Sequence, residues 1–473
     1  MLALLALGAC RQPPAPPPQT APTPADVASS HDASVATSDA STAAVVDAPS
    51  AASQRLLALA GETAQRMATI RGLTLDGPVR RGVMTRAQIL ARLREKTARE
   101  YPPGEIALEG ALYAALGFIP GDMDYERTMF DLLEEQVAGF YDPDDRTFYI
   151  AEWLPAAAQP VTMAHELTHA LQDQHFHIGR FTHHERGHGD AQSAAMAVIE
   201  GDATTAMLDY ALAPAGRRAR DLPNVLEMVA SQLSGDDQQR LRDAPRALRE
   251  TLLFPYLAGL ELCVRTQRRG GGYEGVDALL ANPPASTEQV LHDDKLQARE
   301  APVEVPARVP AALAAEWDLA YQDVLGELGA RLFFYTGVDD ARARTAAQGW
   351  GGDRAVLLAP RGAVHGTADG GAPLDAATLA AAPMLWTVAL DAVPHATGPA
   401  ADREAVEFAE AAVAVLGRRH ASAPPVTIPG ALAARDLGGG RVALVARAGR
   451  RVLVAERLPR ASAAAVLRQS LLP

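Results

Sequence analysis

Cysteine and lysine are scarce in this sequence of 473 residues. The two cysteines, Cys10 and Cys263, cannot form a disulfide framework for a chain of this length, and no spaced set of cysteines indicates a thiolate zinc site. Lysine occurs only at Lys96 and Lys295, and acidic residues exceed basic ones by 57 to 44, which gives a net charge of −13. This balance excludes a general nucleic-acid-binding protein, because affinity for the phosphate backbone requires a surplus of lysine and arginine.

Long hydrophobic runs are also absent, since no apolar run approaches the roughly 20 residues that span a membrane. At the amino-terminal end, residues 2–9 are apolar or small and Cys10 follows them directly. The sequence Leu7-Gly8-Ala9-Cys10 resembles a bacterial lipobox. This resemblance implies that residues 1–10 are a signal segment and lipobox, and that Cys10 carries a lipid anchor in the bacterial cell envelope, on the periplasmic or outer-membrane face. The alternative is a cytosolic protein whose N-terminus is neither cleaved nor lipidated.

Residues 11–50 are rich in proline, alanine, serine and threonine and contain no aromatic residue. Such a segment cannot bury enough apolar surface to offset the entropy lost on ordering. We therefore expect a disordered tether between the anchor and the folded body.

Hydrophobic periodicity divides the remaining chain into two regions. In residues 51–300 the spacing is mostly helical, interrupted by a β-hairpin predicted from the aromatic and β-branched segments 137–141 and 147–150 around Asp142-Pro143-Asp144-Asp145. In residues 301–473, predicted strands alternate with helices, which indicates a smaller α+β domain of unassigned role. The predicted helices there lie near 318–334, 403–416 and 460–471, and the predicted strands near 354–358, 384–390, 442–446 and 451–455.

The most informative motif is His165-Glu166-Leu167-Thr168-His169, an HExxH sequence on a helix predicted from about residue 161 to at least 172. Residues four apart lie on one helix face, so both imidazoles can reach one metal ion. Zinc suits imidazole ligands and leaves one position for water. Glu166 is then positioned to act as the general base towards that water.

Two residues compete for the third ligand. His175 lies six residues after His169, but no glycine breaks the helix before it, so a continuing helix carries it away from the metal. Glu200 lies 31 residues after His169 in the apolar segment Ala197-Val198-Ile199-Glu200-Gly201, which leaves room for a loop and a returning helix. We therefore expect His165, His169 and Glu200 to bind Zn²⁺, with a surface glutamate as the alternative for Glu200.

With these residues the sequence resembles the gluzincin metallopeptidases, the thermolysin-like class. The resemblance implies a zincin-like metal domain at 51–300, zinc bound by His165, His169 and Glu200, Glu166 as the base, and a hairpin edge to which a peptide adds as a strand. Thr204 occupies a position where thermolysin-like proteins carry an aspartate that orients a ligand histidine. The segments His165–Gln174, Glu200–Ala203, Ser286–His292 and Gly349–Arg354 also resemble a set of uncharacterised exported bacterial proteins.

Other residues are weaker candidates. His292 is the best candidate for a donor to the developing oxyanion, with a capping or loop histidine as the alternative. Asp173 and Asp202 are candidate acceptors for the ligand imidazoles. Tyr210 and Tyr256 are expected in the core or at a rim, and Cys263 is expected as a buried thiol. We expect a tight turn at residues 349–352. The histidines at 177, 183, 184 and 188 are expected in a loop over the site.

The sequence thus predicts an α+β protein that hydrolyses peptide bonds in a peptide or protein substrate, by a zinc-activated water with Glu166 as general base. The alternative function is a non-catalytic envelope lipoprotein, for binding or assembly, that retains a structural zinc site.

Overall fold

The structure, a computed structural model, describes residues 50–471 apart from 138, 154, 157, 234–237, 364–373 and 393–401. The signal segment and lipobox expected at 1–10 and the tether expected at 11–50 lie outside the described residues, except for Ser50. The Ser50 hydroxyl caps the first helix by accepting a hydrogen bond from the Ser53 N–H at 3.1 Å. Within the described residues no helix is long and apolar enough to cross a membrane.

Helices predominate before residue 300. They are α1 (Ala51–Arg71), α2 (Arg86–Glu100), α3 (Glu105–Leu116), α4 (Tyr125–Gln136), α5 (Gln159–Phe176), α6 (Gly179–Thr182), α7 (Gly189–Leu212), α8 (Val225–Leu233), α9 (Gln239–Asp243), α10 (Arg246–Thr266), α11 (Gly272–Ala281), α12 (Thr287–Leu291) and α13 (Asp293–Ala298). The capping box predicted at the start of α2 is confirmed, because the Thr85 hydroxyl accepts from the Gln88 N–H and the Gln88 side chain accepts from the Thr85 N–H.

A three-stranded sheet accompanies these helices. It consists of β1 (Arg80–Met84), β2 (Gly139–Asp142) and β3 (Thr147–Ala151), in the order β1-β3-β2. The predicted hairpin is confirmed as the antiparallel pair β2–β3, whereas β1, which pairs with β3 in parallel, was not predicted. β2 is therefore an edge strand.

The second region contains a six-stranded antiparallel sheet in the order β4-β5-β6-β9-β8-β7. Its strands are β4 (Trp317–Asp323), β5 (Trp350–Pro360), β6 (Met384–Leu390), β7 (Ala431–Gly438), β8 (Arg441–Ala448) and β9 (Arg451–Pro459). Its helices are α14 (Gly326–Tyr335), α15 (Asp340–Ala347), α16 (Ala376–Ala381), α17 (Arg403–Arg419) and α18 (Ala463–Leu471). With helices and two sheets the protein is of the α+β class.

Two local predictions in this region were wrong. The helix predicted near 318–334 is strand β4 followed by helix α14, because the residues of β4 pair with β5 and Gly326 adopts a φ of 70°. A left-handed residue of this kind interrupts a helix, and glycine adopts it without strain. The tight turn predicted at 349–352 is the beginning of β5, which starts at Trp350.

The two regions share one hydrophobic core. Its buried residues include side chains of α3, α4, α10, α14 and α17 and of the strands β5 and β6, so helices of the first region pack on one face of the six-stranded sheet. A second core lies among α1, α5, α7, α10 and α11, and a third covers the opposite sheet face under α18. The domain boundary at residue 300 stays a prediction.

Candidate metal centre

Helix α5 carries three of the predicted site residues into the interior. His165, Glu166 and His169 are 1%, 2% and 7% exposed, and the helix is buried along most of its length. Polar groups at such depth require partners, since an unpaired buried polar group costs free energy. The two imidazoles lie one turn apart on the same face, with their ring centroids 4.8 Å from each other.

Helix α7 supplies Glu200, which is 2% exposed. The next residue, Gly201, lies against Gly259 of α10 so closely that a Cβ at position 201 would be 2.2 Å from the Gly259 carbonyl carbon. Only glycine permits this backbone contact between the two helices. The contact helps to fix α7, and with it Glu200, in the interior.

The three predicted ligands converge on one point. The His165 Nε2 atom is 3.1 Å from Glu200 Oε2 and 3.2 Å from His169 Nε2, and His169 Nε2 is 3.6 Å from Glu200 Oε2. A tetrahedral ion with bonds of about 2.0–2.1 Å separates its ligand atoms by about 3.3 Å. Within the described residues this is the group of histidine and acidic side chains whose donor atoms can hold a metal ion together.

Gln172 determines which nitrogen of His169 faces this point. The Gln172 Nε2 amide donates to the Ile199 carbonyl at 2.9 Å and to Asp202 Oδ2 at 2.8 Å, so its Oε1 atom faces His169 Nδ1 at 2.9 Å. Because Oε1 only accepts, His169 must carry its proton on Nδ1. The Nε2 lone pair is then directed at the other two ligands, as metal binding requires.

The charges of the cluster favour a cation. Burial alone would raise the pKa of Glu200, but His169 and His165 lower that pKa to about 2. For the reciprocal reason Glu200 raises the pKa of His169, against the effect of burial. A carboxylate that remains charged beside two imidazole nitrogens is a suitable ligand set for a divalent ion.

Glu166 lies beside the cluster without joining it. Its Oε2 atom accepts a hydrogen bond from the Tyr141 N–H of strand β2 at 2.9 Å. Burial raises the pKa of Glu166, and the two imidazoles oppose that shift. A carboxyl group whose pKa is raised towards neutrality is suited to exchange protons.

All four residues line a cavity with a volume of about 170 Å³. The hairpin contributes Phe140 and Tyr141, helix α10 contributes Tyr256, and β4 with α14 contributes Tyr321 and Leu328 from the second region. The ring of Tyr256 is stacked near His165, with 6.2 Å between centroids, so this tyrosine belongs to the lining. Tyr256 is also 1% exposed and part of the hydrophobic core, so the core or rim position predicted for it is confirmed.

His292 is not brought to this cavity. It ends α12, where its Nε2 atom lies 2.8 Å from Glu327 Oε2, and it is not among the lining residues. Its position therefore gives no support to the expected oxyanion role. His175 is exposed, and its Nε2 contacts the Thr74 carbonyl at 2.7 Å, which keeps it apart from the other three.

The two aspartates expected beside the ligands differ in position. Asp173 accepts from the Tyr141 hydroxyl at 2.9 Å and does not contact a ligand imidazole. Asp202 reaches His169 only through Gln172. Gln172 itself was missed, although its spacing of three residues from His169 places both on one helix face.

Two further candidates lie apart from the ligands. Cys263 is buried and unbridged, and His184 stacks on Tyr101.

A comparison of the chain with models of protein families, with curated protein sequences and with solved structures gave no match. The geometry and chemistry of its own residues therefore carry what can be inferred about its function.

Proposed function

We propose that this protein is a zinc-dependent hydrolase of the gluzincin type that cleaves peptide bonds. The observation that carries the proposal is the convergence of His165, His169 and Glu200 beside Glu166, at the wall of a cavity. Two imidazole nitrogens and one carboxylate oxygen are a ligand set typical of catalytic zinc.

The number of ligands supports catalysis over a structural role. Structural zinc sites close with four protein ligands, whereas catalytic sites keep one position for water or substrate. Among the described residues three side chains converge, and all three line the cavity. A non-catalytic protein with a structural zinc ion would need a fourth ligand at this point.

Glu166 would act as the general base. Bound zinc supplies a Lewis acid and lowers the pKa of water. Glu166 would accept the proton of the attacking water and then donate it to the leaving amine, while the Tyr141 N–H holds its other side. The edge position of β2, whose Phe140 and Tyr141 line the cavity, supports an extended peptide as substrate, because peptides are commonly bound alongside an edge strand. Since the Tyr141 N–H already donates to Glu166, the peptide would use the remaining groups of this strand.

Substitution of Glu166 tests the proposal. The Glu166→Gln variant removes the base but keeps the size and burial of the side chain, so turnover of a peptide library should fall by about 100-fold or more. Zinc content, measured by elemental analysis, should stay at the parent level. Glu288→Gln is the matched control, since Glu288 is equally buried, lies outside the cavity lining and has a pKa raised by burial to about 8.

The outcomes separate the two functions. Loss of cleavage in Glu166→Gln alone supports a hydrolase. A parent protein that binds zinc but cleaves no peptide in the library supports the non-catalytic alternative, and cleavage by Glu166→Gln at the parent rate would remove the assignment.

We also propose that the protein is anchored in the bacterial envelope by a lipid on Cys10. The support is the lipobox-like sequence before Cys10 and the proline-rich segment after it. Mass spectrometry of the N-terminal peptide from membranes should find a diacylglyceryl-modified cysteine. Cys10→Ala should move the protein into the soluble fraction, and an unmodified N-terminus on the parent protein would contradict the anchor.

A further inference from the structure

Arg71, the last residue of α1, is a charged side chain with no exposed surface. Its Nε atom lies 2.9 Å from Asp202 Oδ1 and 3.1 Å from Asp202 Oδ2, and its Nη2 atom lies 2.6 Å from Asp277 Oδ1. The guanidinium also stacks on the Tyr273 ring, 4.2 Å from its centroid. Because burying a charge costs several kcal/mol unless it is fully paired, such an arrangement needs an explanation.

A chain of contacts runs from Arg71 to the metal cluster. The Oδ2 atom of Asp202 accepts from Arg71 Nε at 3.1 Å and from the Gln172 amide at 2.8 Å. Gln172 in turn accepts from His169 Nδ1 at 2.9 Å. All of these side chains are buried, so solvent does not weaken the interactions between them.

We propose that Arg71, Asp202 and Gln172 are positioning residues that hold His169 in the tautomer required for metal binding. This inference rests on the proposed metal site. Arg71 fixes the Asp202 carboxylate, which together with the Ile199 carbonyl fixes the Gln172 amide group. The Gln172 oxygen then keeps the proton of His169 on Nδ1 and leaves Nε2 to the metal.

The chain of Arg71, Asp202 and Gln172, which we call the relay, gives helix α1 a role in the site. α1 is the first described helix, and it packs against α5 and α7, the two helices that carry the ligands. Arg71 inserts from its C-terminal end between α7 and α11, where Asp202 and Asp277 lie. The affinity for metal is therefore coupled to the docking of α1, although no residue of α1 is a ligand.

Substitutions in the full-length protein test the relay through metal affinity. Gln172→Met removes both the acceptor for His169 and the donor to Asp202 without a change of charge. The zinc dissociation constant, measured by chelator competition, should then rise by about 10–100-fold, as for other residues that orient ligands. Arg71→Met should weaken zinc by a similar factor, and Arg71→Lys should restore part of the loss. The visible absorption bands of the cobalt-substituted protein should shift in Gln172→Met, since they report the ligand geometry.

Arg66→Met is the matched control. Arg66 lies on the same helix and stacks on Tyr210 at 4.4 Å, away from the relay, so this variant should bind zinc like the parent protein. If Arg71→Met does not fold, as judged by circular dichroism, Gln172→Met decides the question. Parent-like zinc affinity and cobalt bands in Gln172→Met would overturn the relay, whereas a parent protein that binds no zinc would overturn the metal site itself.

Discussion

Two buried polar clusters in this protein differ in how their polar groups obtain partners. In the six-stranded sheet, the Asp353 carboxylate accepts four hydrogen bonds of 2.8–3.0 Å, from the indole N–H groups of Trp350 and Trp386 and from the backbone N–H groups of Leu325 and Gly326. In the helical region, His165, His169 and Glu200 are equally buried, but their donor atoms face one another.

The difference lies in the supply of donors. Burial raises the pKa of Asp353, and the four N–H groups oppose that shift, so this cluster is satisfied by the protein itself and acts as a structural link between α14, β5 and β6. The second cluster brings His165 Nε2, His169 Nε2 and Glu200 Oε2 within 3.6 Å of one another, and these three atoms could bind one cation together. On our proposal a cation completes the second cluster, whereas it has no place in the first.

Removal of one ligand should produce the largest effect. Structural zinc is bound with about 10–16 kcal/mol by four ligands, so the loss of one ligand accounts for several kcal/mol. His169→Ala should therefore weaken zinc by at least about 100-fold in chelator competition. Zinc at 1,000 times its dissociation constant should stabilise the parent protein by about 4 kcal/mol, and the same concentration should stabilise His169→Ala far less.

His420→Ala provides the comparison for that variant. It removes an imidazole that is paired with Glu456 at 3.0 Å on the sheet, outside the cavity. Its zinc affinity should equal that of the parent protein. Equal zinc affinity in His169→Ala would show that the cluster in the helical region is not a metal site.

Substitution of Asp353 should produce the next largest effect, and of a different kind. In Asp353→Asn one acceptor oxygen becomes a donor nitrogen, so two of the four buried N–H groups lose their acceptor, at about 1–3 kcal/mol each. We expect the free energy of unfolding to fall by about 3 kcal/mol in urea denaturation, equally with and without zinc. Asp436→Asn, at a partly exposed pair with Arg460, should cost less than about 1 kcal/mol. A zinc-dependent loss in Asp353→Asn would contradict the distinction between the two clusters.

The two clusters also differ in how far the sequence predicts them. The proposed metal cluster depends on spacing along helices, because the HExxH motif places both imidazoles on one face and Glu200 stands out as an acid in an apolar segment. Asp353 depends on partners 27 to 33 residues away in the chain as well as on Trp350, and their meeting requires the β4–β5 and β5–β6 pairings. No local periodicity indicates these contacts, and residues 349–352, just before Asp353, were predicted as a tight turn from their glycines.

The helices and strands also differ in how far local signals in the sequence predict them. Where one element is amphipathic or has a local signal, as in the capping box of α2 or the turn of the β2–β3 hairpin, the prediction was confirmed. Where pairing with distant strands decides, as in β1 and β4, the local sequence predicts no strand or the wrong element. β7 was also missed, although it pairs with its neighbour β8. Arg71 belongs to the second kind, since its partners Asp202 and Asp277 are more than 130 residues away.

A third buried carboxylate, Asp190, lies between the two extremes, and its substitution should have the smallest effect near pH 4 and a larger one at higher pH. Both of its hydrogen bonds come from Thr287, through the N–H at 3.0 Å and the hydroxyl at 2.5 Å, and the nearby carboxylates of Asp353 and Asp323 add repulsion. Burial raises the pKa of Asp190 to about 7. The folded protein therefore keeps a proton that the unfolded chain releases near pH 3.9, so this group lowers stability as the pH rises from about 4 to about 7.

Asp190→Asn cannot ionise and can still accept from Thr287. The variant should match the parent protein near pH 4 and exceed its free energy of unfolding at pH 8 by up to about 4 kcal/mol, the full value of a pKa shift of about 3 units, as measured by urea denaturation across this range. Parallel stability curves for the two proteins would mean that Asp190 is balanced as fully as Asp353, and that the number of N–H donors does not decide how a buried carboxylate behaves in this fold.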